Sequence, residues 1–333
     1  MKKHKWGILT AGKMSAKFVK ALKLLENAEP YAVGARDISK AKLFAQEHGI
    51  KKYYGNYEEL ATDPEVEIIY IASPHSHHFE HTMLCLKNHK AVLCEKAFSL
   101  NAYEAKVMID EAQRQNVFLM DALWPPFQPI YKKTKELLLK EEIGKLVHID
   151  AKFGFQPPYD PYDRKFNLSL GGGSLLDIGI YPVHDVLYFM GVPDNITAKA
   201  TFTDSGAENS INIIFGFNNG QTAAVLSTFK ATVGIGCTLY GENGNLSFSR
   251  GRDMSQQLTL TVNGKTPVEY SFIPEGMGYH FEAEEVMKCI EQGKIESSVV
   301  PHSYSLKLMS ILDEVRDAAG IVFPDRDNLT AKL

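Results

Sequence analysis

In the first third of the chain, short apolar runs alternate with longer stretches in which apolar residues recur every three to four positions. The runs Trp6–Leu9, Tyr31–Ala35, Lys52–Tyr54, Ile68–Ala72, Ala91–Cys94 and Phe118–Asp121 have the length and composition of strands. Between them, Ser15–Leu25, Ser39–His48, Tyr57–Thr62, His77–Lys87 and Ala102–Asn116 predict helices, the last opened by Asn101 as N-cap with Glu104 three residues on. Six strands joined by helical crossovers predict a doubly wound parallel sheet. The alternation stops at Trp124-Pro125-Pro126, where two adjacent prolines suit neither a helix interior nor a central strand. A domain boundary is expected there, dividing the chain into 1–123 and 124–333.

The second part has a different texture. A helix near Ile130–Lys140 leads to a strand near Leu146–Phe155, then to a loop rich in Pro, Tyr and Asp that ends at Gly171. A helix is expected after the glycines. From Ala198 to Tyr270 strand follows strand, with Asn218-Asn219-Gly220, Gly241–Gly244 and Asn263-Gly264 as turns. Helical stretches around His280–Gln292 and Ser303–Ala319 close the chain. The expected fold class is therefore α/β: an N-terminal Rossmann doubly wound parallel sheet, then a C-terminal α+β domain built on a largely antiparallel open sheet.

Composition narrows the function classes. With 333 residues and 44% hydrophobic content, the chain can bury the cores of two domains. A formal net charge of −4 offers no basic face for nucleic acid, so a small-molecule substrate is the expected partner. MKKHKW runs into a patterned segment rather than the apolar stretch of a signal peptide, and no segment approaches the length of a membrane span. A cytoplasmic protein without a membrane partner is expected. The four cysteines, Cys85, Cys94, Cys237 and Cys289, form no CxxC pair, which argues against disulfides and a structural metal.

Candidate chemistry gathers at the strand ends. Gly7-Ile8-Leu9-Thr10-Ala11-Gly12-Lys13-Met14-Ser15 lies where a dinucleotide-binding turn belongs, and retains only the middle glycine of G-x-G-x-x-G/A, as Thr10-x-Gly12-x-x-Ser15. An ordinary strand-to-helix turn would look similar. Arg36, after the second strand, is placed to pair with a 2′-phosphate, favouring NADP; the adjacent Asp37 could instead accept from a ribose hydroxyl and favour NAD, and a solvated Arg36 is a third reading. Ser73-Pro74-His75-Ser76-His77-His78 follows the fourth strand and Glu95-Lys96-Ala97 the fifth, at the edge where open α/β sheets bind ligands. No compact carboxylate or cysteine set accompanies the histidines, so no metal is expected. Lys96 could carry positive charge to a substrate hydroxyl, although a surface Glu-Lys pair would read the same. In the second half, Gly171–Asp185 places Asp177, Tyr181 and His184 at i, i+4 and i+7 of a helix, three protonatable groups on one stripe opposite an apolar one. Trp124, Phe155 and Arg164 are further candidates for the substrate pocket, from boundary position and loop context.

With these motifs in order, the chain resembles the Gfo/Idh/MocA oxidoreductase family over nearly its whole length, and most of all its dimeric dihydrodiol dehydrogenases and glucose-fructose oxidoreductases. The similarity rests on WGILTAGKMS, ARD, ASPHSHH, VLCEKAF, FLMDALW and GGGSLLDIGIYPVHD. It implies cofactor contacts from Thr10, Ala11, Gly12, Lys13, Met14, Arg36, Ser73, Pro74, His75, His78, Glu95 and Lys96. It also implies a catalytic lysine at Lys96, a D-x-G-x-Y pattern at Asp177, Gly179 and Tyr181, and a homodimer or homotetramer formed through the second sheet. Ala97 replaces the proline of the family's E-K-P motif, Thr10 a glycine, Pro126 an arginine and His75 an asparagine.

The expected activity is hydride transfer between NADP, or NAD, and a carbinol or carbonyl carbon of a sugar, polyol or cyclic trans-diol. Catalysis would fall to Lys96, Tyr181 and Asp177, and substrate contacts to Trp124, Phe155, Arg164, Asp177, Tyr181 and His184. An NADP(H)-binding regulator without catalysis, and a reductase of a keto-sugar or of biliverdin, are the alternatives.

Overall fold

The structure, a computed structural model, describes residues 3–251, 255–324 and 327. The elements run β1 (His4–Leu9), α1 (Lys13–Leu22), β2 (Ala28–Gly34), α2 (Ile38–His48), β3 (Lys52–Tyr54), α3 (Tyr57–Thr62), β4 (Ile68–Ile71), α4 (His78–Lys87), β5 (Ala91–Glu95), α5 (Ala102–Gln115) and β6 (Leu119–Ala122). They continue with α6 (Pro129–Leu139), β7 (Leu146–Gly154), α7 (Ile180–Met190), β8 (Asn195–Phe202), β9 (Glu208–Gly216), β10 (Thr222–Thr228) and β11 (Gly234–Gly241). Last come β12 (Gly244–Arg250), β13 (Gln256–Val262), β14 (Val268–Phe272), α8 (His280–Glu291) and α9 (His302–Ala319).

The chain divides into two compact units, Met1–Phe127 with Glu275–Leu306, and Gln128–Pro274 with Lys307–Leu333. The sequence pattern gives one cut at 123/124, whereas Glu275–Leu306 packs within the first unit.

In the first unit β1–β6 form an all-parallel sheet ordered β3-β2-β1-β4-β5-β6, so the strand order reverses between β1 and β4. Its central strands are buried along their length, as a sheet covered on both faces requires. Helix starts follow from short polar side chains: Asp37, Asn56 and Asn101 each accept a backbone N–H of the first turn of α2, α3 and α5. Glu104 closes the box by accepting Leu100 N–H at 3.1 Å. The segment after α8 covers the edge of β6, where Leu119 N–H donates to Ile295 O and a His302 ring nitrogen lies 2.9 Å from Leu119 O.

The second unit is built on an eight-stranded sheet ordered β14-β13-β12-β11-β7-β10-β9-β8. All pairs are antiparallel except β7–β10, which the chain reaches by a long connection through α7. One face carries Ile149, Ala151, Ile211, Ile213, Phe215, Val225, Leu239 and Leu246, all buried. The alternate residues, among them Asp150, Lys152, Asn212, Ile214, Thr222, Ala224 and Tyr240, point to the other face and are exposed or half-buried. No described helix is long and apolar enough to cross a membrane.

Candidate active site

The turn after β1 shows why its glycine fingerprint could be depleted. Thr10 takes φ +91°, the region glycine ordinarily supplies, and its hydroxyl lies 3.1 Å from both Ser15 Oγ and Ala72 O. Those bonds hold a β-branched residue in a backbone conformation it adopts rarely. Gly12 then occupies the N-cap of α1 in extended conformation, with no side chain capping the helix, and a Cβ there would meet nothing nearer than Thr10 Oγ1 at 3.7 Å. Lys13 and Met14 therefore open a helix whose first N–H groups face an uncrowded turn, which fits a pyrophosphate. Arg36 is exposed at the end of β2, and its positive charge opposes the rise that burial imposes on the Tyr57 phenol. The Asp37 carboxylate accepts from Ser39 N–H at 2.9 Å and Lys40 N–H at 3.4 Å, so it is engaged as the cap of α2. This arrangement leaves Arg36 as the charged group of that pair suited to a 2′-phosphate.

The loops after β4 and β5 are tied together. The His78 ring, wholly buried, lies 2.8 Å from Ser73 O through Nε2 and 2.7 Å from Ala97 O through Nδ1. Burial lowers the ring's pKa to about 4 against the opposing pull of the two carbonyls. His78 thus holds the loops after β4 and β5 in register with its polar atoms on backbone, whereas Pro74 beside it is half-buried and Ser73 and His75 are nearly covered. Lys96 is half-buried at the carboxyl end of β5, and its peptide bond to Ala97 is cis.

Next to Lys96 lies a set of acids whose clustering no single motif marks. The buried Tyr70 hydroxyl donates to Glu95 at 2.5 Å. Burial pushes the Asp121 carboxyl up to about 8, with Glu95 adding to the rise and Ser305 and Lys96 pulling it back. Burial likewise holds Glu282 of α8 well above the usual carboxylate range, reinforced by Glu95 and Asp121. Glu95 and Lys96 belong to VLCEKAF and Asp121 to FLMDALW, while Tyr70 of β4 and Glu282 of α8 lie outside any quoted motif. Trp124, 3% exposed, donates its indole N–H to Met277 O at 2.9 Å. It anchors the returning segment within the first unit.

The second unit assembles the Tyr181 region. The glycines meet tight limits: Gly173 sits at φ +138° with Glu208 against the place of a Cβ, and a Cβ on Gly172 would lie 2.7 Å from Asn167 N. Glu208 of β9, 1% exposed, accepts from Ser174 N–H, Leu175 N–H and Ser174 Oγ, capping the helix from across the sheet. The residues Leu175–Gly179 form a π-helical turn that runs into α7. This extra width breaks the 3.6-residue period on which the predicted stripe depended. Tyr181 stands 5.9 Å from the Phe153 ring of β7, while His184, wholly buried, packs on Tyr131 of α6 and on Tyr188. Burial lowers His184 to about 3, and its surroundings are aromatic. Pro182 falls in the first turn of α7, just after the π-helical turn, where it withholds one backbone N–H from the junction between the two.

Asp177, 6% exposed, accepts from the Arg164 guanidinium at 2.9 Å, joining two predicted residues. Phe155, also predicted, packs with Phe153, Phe166, Phe229 and Ile178 in an aromatic cluster that continues to Tyr181. Phe153, Glu208 and Arg250 were missed, because each is an isolated residue on a strand whose role depends on what packs opposite it. Among the described residues no group of three or more His, Cys, Asp or Glu side chains is arranged to hold a metal ion.

Residues 4–122 match the family described as "Oxidoreductase family, NAD-binding Rossmann fold", and residues 131–247 the "GFO/IDH/MocA C-terminal domain". The chain is 37% identical to a trans-1,2-dihydrobenzene-1,2-diol dehydrogenase from Xenopus tropicalis, over 96% of this chain and 99% of that protein. Two solved structures share the fold with a TM-score of 0.86. One is an aldose-aldose oxidoreductase from Caulobacter crescentus at 22% identity; the other is a 3-ketoreductase from Actinomadura kijaniata, in complex with NADP, at 20%. Each covers 96% of this chain, which matches 98% of either structure. With the strand order of the first unit, the turn at Thr10–Ser15 and both family matches in agreement, the chain belongs to the Gfo/Idh/MocA family of NAD-binding oxidoreductases.

Proposed function

We propose that this protein is an NADP-dependent dehydrogenase of cyclic trans-diols, with sugars and polyols as its wider substrate class. The observation that carries this reading is Tyr181, a half-buried phenol beside an aromatic cluster with the Asp177–Arg164 pair close in sequence and fold. An apolar ring packs on Phe153 and Phe155, while a hydroxylated edge finds a phenol and an ion pair. The Xenopus tropicalis relative, named for a cyclic trans-diol, supports the same class. Selection of NADP rests on Arg36 with Asp37 engaged in its helix cap.

When bound, the nicotinamide supplies the hydride acceptor. Tyr181 Oη takes the proton of the substrate hydroxyl during oxidation and returns it during reduction. A free phenol titrates near a pKa of about 10, so a base at neutral pH needs positive charge nearby. Lys96 is proposed to carry that charge toward the reacting hydroxyl, and Asp177, held by Arg164, to orient the neighbouring hydroxyl. The protein is further proposed to be cytoplasmic and homodimeric.

Purified protein should reduce NADP in the presence of cyclic trans-diols faster than with aldoses or open polyols, as read from nicotinamide absorbance. Tyr181→Phe should lower turnover by about 10²–10⁴-fold with cofactor binding retained. Silence across the panel despite tight NADP binding would overturn the enzymatic reading in favour of a dinucleotide-sensing regulator.

A further inference from the structure

The strand β12 runs Gly244 to Arg250, and Leu246 and Phe248 are its buried, inward positions. The strand period of two places Arg250 in the same inward register, where an apolar residue is the usual choice. Its guanidinium carbon lies 5.5 Å from the Tyr181 ring centroid and 6.0 Å from that of Phe153, within the range of cation–π attraction. Arg250 ends its strand opposite Gln256 of β13, which is 1% exposed and donates to Gln128 Oε1 at 3.1 Å, so the strand end carrying it is anchored.

We propose that Arg250 is a positioning residue for Tyr181: its guanidinium holds the phenol ring against Phe153 and supplies positive charge that stabilises the phenolate as the proton is exchanged. The proposal rests on the reading of Tyr181 as the proton-transfer group. No motif marks Arg250, and it comes from a strand about seventy residues beyond the tyrosine.

The charged and titratable surroundings within the second unit support the assignment. Asp185, one turn along α7, accepts from Tyr131 at 2.7 Å and is pushed up to about 7 by burial, with Tyr131 and Arg250 opposing the rise. Arg250 opposes the rise at Tyr131 as well. His184 on the same helix is driven toward its neutral form by burial. On the preceding turn Asp177 is paired with Arg164, and Glu208 of β9 senses Asp177. Among these groups, Arg250 lies over the Tyr181 ring and Arg164 lies on Asp177.

The test is a titration of the full-length protein grown with tyrosine labelled with carbon-13 at Cζ, the Tyr181 signal being assigned by its loss in Tyr181→Phe. In Arg250→Met, which keeps the length of the side chain and removes its charge, the Tyr181 pKa should rise by about one unit or more; Arg250→Lys should recover at least half of that rise. The acid limb of kcat/KM should move up in pH by the same amount, so that Arg250→Met loses about tenfold or more at neutral pH and regains activity in alkali. A Tyr181 signal that titrates identically in wild type and Arg250→Met, with NADP binding intact in both, would overturn the proposal. If Arg250→Met fails to bind NADP, the comparison of Arg250→Lys with Arg250→Gln decides it by the same readout. Failure of the underlying reading is visible separately: Tyr181→Phe would then retain turnover, whatever the titration shows for Arg250.

Discussion

Thr10 holds an angle that glycine adopts without strain, and it does so with two hydrogen bonds that a glycine could not make. The motif looks damaged in sequence because the fingerprint records only one way to satisfy that turn. Asp37 shows the complementary case, where a residue legible as a ribose acceptor is spent on the N-terminus of α2. If Arg36 reads the 2′-phosphate, Arg36→Met should weaken NADP binding about 10- to 100-fold, by dissociation constant, and leave NAD within a few-fold. Equal loss for both dinucleotides would remove that role. Asp121 carries a pH signature. Its carboxyl titrates near 8 in the folded chain and near 4 when unfolded, so the folded state holds a proton across that window which the unfolded state has released. The stabilisation it gives is complete below about pH 4 and disappears as pH rises toward 8. Urea midpoints should show Asp121→Asn gaining on wild type between pH 5 and pH 8; a constant difference would mean that Asp121 is ionised throughout.

The elements that were legible share one property: their residues speak for themselves. The strands β1–β6 and helices α1–α5 follow from apolar period and, for α5, from the cap at Asn101, and the structure moves only their ends. The π-helical turn at Leu175–Gly179 was not legible, and the contacts that fix its start come from 33 and 34 residues away, where Glu208 accepts from Leu175 and Ser174. Likewise the predicted stripe of Asp177, Tyr181 and His184 assumed one uniform helix; the change of pitch falls between Asp177 and the other two, and within α7 Tyr181 packs on β7 while His184 packs on α6. Gly173→Ala tests this construction. Its φ of +138° and the Glu208 carboxylate against its missing side chain should cost about 1–3 kcal/mol of stability, measured by denaturant midpoint. A variant as stable as wild type would show that the cap adjusts without strain.

For the whole molecule, the proposed dimer is tested at the outward face of the eight-stranded sheet. Ile214 is 53% exposed and Tyr240 41% exposed on a face that also carries Leu226 and His148 among Thr, Ser, Asn and Ala residues and a few charges, a surface able to lie flat against a copy of itself. Sedimentation should find a dimer at micromolar concentration, and Ile214→Asp should shift it to monomer without loss of fold; a wild-type monomer at all concentrations would exclude that face. The first unit has a consequence in time. Its sheet ends at Ala122, yet the edge of β6 and the indole of Trp124 are satisfied by Ile295, His302 and Met277, which leave the ribosome much later. At translation speeds of roughly 5–20 residues per second the nascent nucleotide-binding half waits on the order of ten seconds or more for its last strand of contacts. During that interval β6 is an open edge, the part of the newborn chain most exposed to pairing with a strand of another molecule.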